Sequence, residues 1–359
     1  MGNLYSNEIV FSSHPDKVCD RISAALLEEY LIEDKFTRAG IEVVGGKGKI
    51  FITGEVTSKA NINVEAVVRD VLIDAGYETA DSPKYEIENN IGLQSADIAL
   101  GTNEDVMGAG DQGLMFGYAT RETKELLPKA QAILCRFAEA YDELREKDDR
   151  FKSDGKAQIT GEYDEDGKLT DIYKFLVSYQ NTELEREDTD RIIFKLARDC
   201  CAEYGLDLTE EEMLINPTGK FEIGGFDGDA GLTGRKIVVD QYQGFVKVGG
   251  GNLNGKDPTK VDLSGTYMAR KLAALILDAN PEINEVEVQV AYAIGLAYPL
   301  SININTDIGP IQPTTDMYER CTPANIIKEF NLRDFNYEDA AKYGHIWYLA
   351  KNGYDRNNA

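Results

Sequence analysis

The chain has 359 residues, with 38 Lys and Arg against 63 Asp and Glu, a formal net charge of −25. Bulk charge of that sign excludes attraction to nucleic acid or anionic membranes, and 42% hydrophobic residues with 19 Tyr and 13 Phe exclude disorder. With no apolar run near the ~18 residues a membrane helix requires, and neither a basic start nor an apolar run in Met1–Ser6, a cytoplasmic protein of about two to three domain-sized units is expected.

The first strong helix signal follows Ser13-His14-Pro15: proline suits the first helical position, His14 or Ser13 can cap, and Val18, Ile22, Ala25 and Leu26 keep helical spacing. Residues 41–44 and 49–57 read as strands around a glycine-rich turn at 45–48. A helix follows, with Val64, Val67, Val68, Val71, Leu72 and Ala75 on one face and Gly76 as its stop. The order recurs. Residues 157–163 and 169–179 flank an Asp166-Gly167 turn, and Ile192, Ile193, Leu196, Ala197, Cys200 and Tyr204 then fall in helical phase. Residues 285–298 and 301–306 read as paired strands around Pro299. Thr322-Pro323 opens a short helix, and further helices are expected near 122–147 and 262–279. Strands grouped as hairpins and covered by helices argue for an α+β fold, with three similar sheet-plus-helix units in a pseudo-threefold arrangement. No dinucleotide-binding or Walker glycine motif is present.

The five cysteines, Cys19, Cys135, Cys200, Cys201 and Cys321, show no C-x-x-C spacing and read as reduced, buried thiols. Two histidines, His14 and His345, exclude a histidine-rich metal site. Two stretches stand apart as glycine-rich loops, 101–113 and 216–262. The second interleaves Lys220, Arg235, Lys236, Lys256 and Lys260 with Asp229 and Asp262. Glycines let backbone amides approach phosphate oxygens and cations neutralise them, so a polyphosphate site is expected there.

His14-Pro15-Asp16-Lys17 with Asp20, Gly108–Tyr118 (GAGDQGLMFGY), Asn216–Phe221 (NPTGKF), Gly228–Lys236 (GDAGLTGRK) and Gly249–Asp262 (GGGNLNGKDPTKVD) together resemble the methionine adenosyltransferase, or S-adenosylmethionine synthetase, family. The likeness runs from about residue 8 to 305, with a short echo at Tyr343-Gly344-His345. It implies three α+β units, 1–99, 106–222 and 223–359, in a homodimer or homotetramer with its active sites at a subunit interface. The implied reaction joins ATP, L-methionine and water to give S-adenosylmethionine, phosphate and diphosphate, assisted by two Mg²⁺ per site and K⁺. A thioether has a lone pair and no proton to lose, so its attack on the 5′ carbon of ATP needs alignment and stabilisation of the departing triphosphate, not a general base.

By the resemblance, His14, Lys156, Arg235, Lys236, Lys256 and Lys260 act on the triphosphate. Asp111, Asp154, Lys220, Phe221, Asp229 and Asn252 complete the ATP site, and Glu55, Gln94, Asp229 and Lys260 face methionine. Asp16 and Asp262 hold Mg²⁺, and Glu42 holds K⁺. On the residues alone, His14 also reads as a helix cap, Asp16 as a first-turn acid, Glu42 as a strand-face acid, Phe221 as a core aromatic and the lysines as solvated charge. The chain departs from the family pattern at Phe11-Ser12-Ser13, where Ser-Glu-Gly is usual, and at Lys220, where Arg is usual. It departs again at Val248–Leu253, in a shortened gate segment before Gly108, and in a reduced C-terminus. Two other readings follow from these departures: a weakly catalytic nucleotide-binding paralogue that regulates a partner, and a related transferase with an altered substrate.

Overall fold

The computed structural model describes residues 3–93, 108–182 and 186–356. Its strands are β1 (Asn3–Val10), β2 (Arg38–Gly46), β3 (Lys49–Thr57), β4 (Glu86–Gly92), β5 (Gly113–Thr120), β6 (Phe151–Tyr163), β7 (Leu169–Asn181), β8 (Met213–Ile215), β9 (Gly231–Leu232), β10 (Glu285–Tyr292) and β11 (Ser301–Thr306). Helices of more than three turns are α1 (Pro15–Glu33), α2 (Val64–Asp74), α3 (Lys129–Arg145), α4 (Glu187–Glu203) and α5 (Val261–Ala279). The strands form three sheets in the orders β4-β3-β2-β9, β1-β6-β7-β8 and β11-β10-β5. In each, a hairpin supplies the centre: β2–β3, β6–β7 and β10–β11. The fold is α+β, as expected from the hairpins.

The sheets do not follow the chain in blocks. β1, from the N-terminus, pairs with β6; β5, from the middle, pairs with β10; and β9, from the later part, pairs with β2. The stretches expected as units, 1–99, 106–222 and 223–359, thus exchange edge strands in a cycle.

Alternation sets which face of each sheet is covered. In the first sheet Ile41, Val43, Ile50 and Ile52 are buried, on the side of α1, whereas Glu42, Val44, Phe51 and Glu55 point the other way. Pro15 opens α1 and His14 caps it, its side chain accepting from the Asp16 amide. α1 is wrapped by β2, β9, α2 and the two-turn helix Tyr337–Tyr343. Its polar residues Asp16, Lys17, Asp20 and Arg21 are therefore buried along with Val18, Ile22 and Leu26. Helix α5 lies on β5 and β10. Gly117 allows this, because a Cβ there would collide with the Ala269 carbonyl.

Three expectations shift. β10 stops at Tyr292, not 298, because a turn closed by the Leu296 amide on the Ala293 carbonyl redirects the chain. The helix expected from 122 starts at Lys129; residues 121–127 form turns clasped by the Thr123 hydroxyl, which donates to the Leu127 carbonyl and accepts the Leu127 amide, and Pro128 supplies the start. Among the described residues, the third hairpin is followed only by helices of seven residues or fewer, and its main cover, α5, precedes it in the chain. All five cysteines are unpaired and buried.

Candidate active site

The functional side chains gather in two groups, and α1 builds the first. His14 Nδ1 accepts the Asp16 amide at 3.2 Å. Burial, reinforced by the Lys236 ammonium, pulls the imidazole down to about 3, so it is neutral at pH 7. A neutral imidazole whose Nδ1 accepts carries its proton on Nε2, so His14 presents a donor outward. Asp16 Oδ1 takes the Leu232 amide at 3.0 Å and Arg235 Nε at 3.2 Å, while Oδ2 pairs with Lys236. Lys156 and Asp229 are close enough to act on His14 through charge. Lys156 is exposed on β6, opposite Val10. Asp154, two residues earlier, is buried and accepts the Gly225 amide at 2.9 Å; burial pushes its carboxyl up to about 6. Three cations thus surround one donor at a helix N-terminus, an arrangement that receives a polyanion.

The second group lies on the uncovered face of the first sheet. Glu42 on β2 and Glu55 on β3 share that face; burial raises the Glu42 carboxyl, opposed by a hydrogen bond from Asn252 and the charge of Lys256. Lys260 stands 3.8 Å from Glu55, and Lys256 pairs with Asp262 in the first turn of α5. Buried Asp257 fixes this loop: its carboxylate takes the Ala39 amide at 3.0 Å, and the Thr259 amide and hydroxyl at 3.0 and 2.7 Å. Gly251 leaves the Asp262 carboxylate room, since any Cβ there would overlap it. The loop before β5 is drawn in as well. The Gly110 amide donates to Thr259 at 3.3 Å, which brings Asp111 beside this group, where its carboxylate takes the Gln112 amide.

The cations expected at the triphosphate fall into these two groups, which approach each other where Gly234, the residue before Arg235, lies against the Asn252 side chain. Lys156, Arg235 and Lys236 belong to the first group and Lys256 and Lys260 to the second; Asp16 and Asp262 are separated in the same way. Among the described residues, no hydrogen bond or ion pair joins the groups. Lys220 joins neither: it is 71% exposed and pairs with Glu222 at 2.9 Å. Phe221 is half-buried, tied to Asn181 through its backbone beside the Asp154 strand. Gln94 and the shortened gate segment lie outside the described residues.

Among the described residues no three His, Cys, Asp or Glu side chains form a ready metal cage. Mg²⁺ does not require one, since it binds through one or two carboxylates with phosphates and water. Asp16 and Asp262 each offer hard oxygens and each already attracts a cationic side chain, so both fit that role.

Sequence reasoning missed the groups that hold these loops. Lys17 is buried between Asp20 and Asp240, and Asn254 and His345 continue the chain of bonds. The available signal was a lysine and two aspartates inside otherwise apolar helical patterns, which demands partners.

Comparisons with known proteins cover the whole of this arrangement in sequence. Residues 2–96, 106–221 and 223–352 match family models described as the N-terminal, central and C-terminal domains of S-adenosylmethionine synthetase. The S-adenosylmethionine synthase of Clostridium tetani is 40% identical over 373 aligned residues, covering 96% of this chain and 94% of the relative.

Proposed function

Because the chain belongs to the S-adenosylmethionine synthetase family, we propose that its two charged groups divide the labour of that family's reaction. The chain is a methionine adenosyltransferase: ATP, L-methionine and water become S-adenosylmethionine, phosphate and diphosphate. The methionine thioether attacks the 5′ carbon and the triphosphate leaves, to be hydrolysed afterwards.

The first group takes the triphosphate. His14 donates from Nε2 to the departing oxygen, and Lys156, Arg235 and Lys236 neutralise charge as it accumulates there. Asp154 and Asp229 face the nucleoside side of this group, and Phe221 offers a ring to adenine. The second group takes the methionine head at Glu55 and Lys260, with Gln94, and lends Lys256, Asn252 and Asp111 to ATP. The family needs a divalent metal and K⁺. Asp16 and Asp262 would hold Mg²⁺, two ions per site, and Glu42 would hold K⁺. Bound there, the ions would draw charge from the phosphate oxygens. Lys236 and Lys256, now paired with those carboxylates, would then turn onto the triphosphate.

A complete site combines the first group of one chain with the second group of another, in a homodimer or a tetramer built from it. This is supported by the lack, among the described residues, of any hydrogen bond or ion pair between the groups, and by the exposed apolar side chains Val44, Leu114, Ile294 and Leu296. The unpaired thiols fit a cytoplasmic location. Among the described residues no helix is long and apolar enough to cross a membrane.

The observation that carries this reading is the outward donor of His14 ringed by Lys156, Arg235 and Lys236. The test is incubation of purified protein with ATP, methionine, Mg²⁺ and K⁺, with detection of S-adenosylmethionine by mass spectrometry. Product well above that of a Lys236→Met variant is expected. ATP binding without product would instead mark a regulatory paralogue, and product only from other thioethers or nucleotides would mark an altered substrate.

A further inference from the structure

A continuous buried chain of polar groups runs behind both charged groups. Tyr267 Oη lies 2.6 Å from His345 Nδ1, and His345 Nε2 lies 2.8 Å from Asn254 Oδ1. Asn254 Nδ2 donates to Asp240 Oδ2 at 3.3 Å. Lys17 donates to Asp240 at 2.6 Å and to Asp20 at 3.1 Å, and Asp20 Oδ1 accepts the Gly234 amide at 2.9 Å. Each of these six side chains is 1% exposed or less.

The bond directions are mutually consistent. Asn254 gives its amide protons to Asp240, so its oxygen must accept from His345 Nε2. A neutral His345 then accepts at Nδ1 from the Tyr267 hydroxyl. Burial pulls the His345 imidazole down to about 4, which keeps it neutral. Burial opposes the charge on Lys17, yet Asp240 and Asp20 hold its ammonium above the ordinary value. A buried lysine with two carboxylates is costly to assemble and rigid once assembled.

The chain of bonds ends at the residues that matter. Asp20 grips Gly234, the residue before Arg235. Asp240 ends the one-turn helix that starts just after Lys236. Arg235 and Lys236 therefore lie between two anchors, both tied to α1 through Lys17 and Asp20. Asn254 sits between Asn252 and Lys256, and its backbone is clasped to the Asn252 amide group at 3.0 Å in both directions. Tyr267 lies on α5, whose first turn carries Asp262.

We propose that the buried series Tyr267–His345–Asn254–Asp240–Lys17–Asp20 is a positioning network that sets Arg235 and Lys236 at the geometry of transfer, with His345 as its remote control point. The proposal rests on the reading of those two cations as triphosphate contacts. None of the network side chains touches substrate. Its effect is alignment, where a displacement of about 1 Å can cost ~10²-fold in rate.

The test compares His345→Gln with His345→Asn. The Gln amide reaches the Nε2 position and keeps the donor to Asn254. The shorter Asn amide stops at the Nδ1 position and loses it. We expect His345→Asn to lose about 10- to 100-fold in kcat, the usual effect of disturbing a supporting hydrogen bond, with KM for ATP and methionine little changed. His345→Gln should retain most of kcat, and Asn254→Ala should match His345→Asn. Equal kcat in the two His345 variants, a change confined to melting temperature, or failure of all three variants to fold would overturn the proposal and leave a purely structural network. Lys236→Met, assayed alongside, separates the premise from the inference. Full activity in that variant removes the reading of the site, whereas its loss of activity with indifferent His345 variants removes only the network.

Discussion

Lys156 offers the cleanest single-residue test of the first group. It is exposed and forms no ion pair among the described residues, so its removal should leave stability alone. We expect Lys156→Met to lower kcat/KM by about 10²-fold, the scale of one lost transition-state donor, with an unchanged melting temperature. Steady-state kinetics and calorimetry on the same sample check both halves. His345 gives a pH test. Its folded value, about 4, lies below the ordinary 6.5. As pH falls below 6.5 the unfolded chain takes up a proton that the folded chain refuses, so stability is lost. Between pH 7 and 5 this contribution is on the order of 2 kcal/mol. We expect urea denaturation of His345→Gln to show a pH dependence flatter by that amount than the parent. His14, Asp16 and the cations were legible in the sequence because short motifs carried them. The division of those residues into two groups was not, since it depends on which loops pack at the N-terminus of α1 and which on β2 and β3, and sequence spacing does not report that.

At the scale of elements, α1 was legible from Pro15 and its apolar spacing, and so were the hairpins, whose turns carry glycine. What was not legible was the cost of burying α1 on nearly every side. Its Lys17, Asp20 and Arg21 interleave with the apolar positions, and each is buried and paired. β1 and β4 escaped notice because most of their side chains are exposed or half-buried, so neither shows clean alternation. Close approach of elements makes a further prediction. A Cβ on Gly117 would drive β5 from the backbone of α5. Both elements carry parts of the second group, β5 following Asp111 and α5 bearing Asp262. Gly117→Ala should cost about 1–3 kcal/mol of stability, as overpacking does, and should also lower activity. Denaturation and kinetics measure the two effects separately; loss of neither would show that the contact relaxes freely.

Across the whole molecule, the cyclic exchange of β1, β5 and β9 ties the three sheets into one body. Such long-range pairings leave no local signature, which is why sequence reading gave three units in series. The same architecture places one charged group at the N-terminus of α1 and the other on the uncovered face of β2 and β3. A net charge of −25 would repel ATP over most of the surface, so the few cations must be combined efficiently, and the proposed pairing of two copies of the chain would do that. The most direct measurement is complementation between two inactive variants, Lys236→Met in the first group and Lys256→Met in the second. In a mixed two-fold dimer, one site inherits both lesions and the other inherits neither. If sites are shared, subunit exchange at equal concentrations should restore about a quarter of parental activity, half the dimers being mixed with one intact site of two. If the mixture stays as inactive as its components while mass spectrometry shows that mixed dimers have formed, each site lies within a single chain and the account fails.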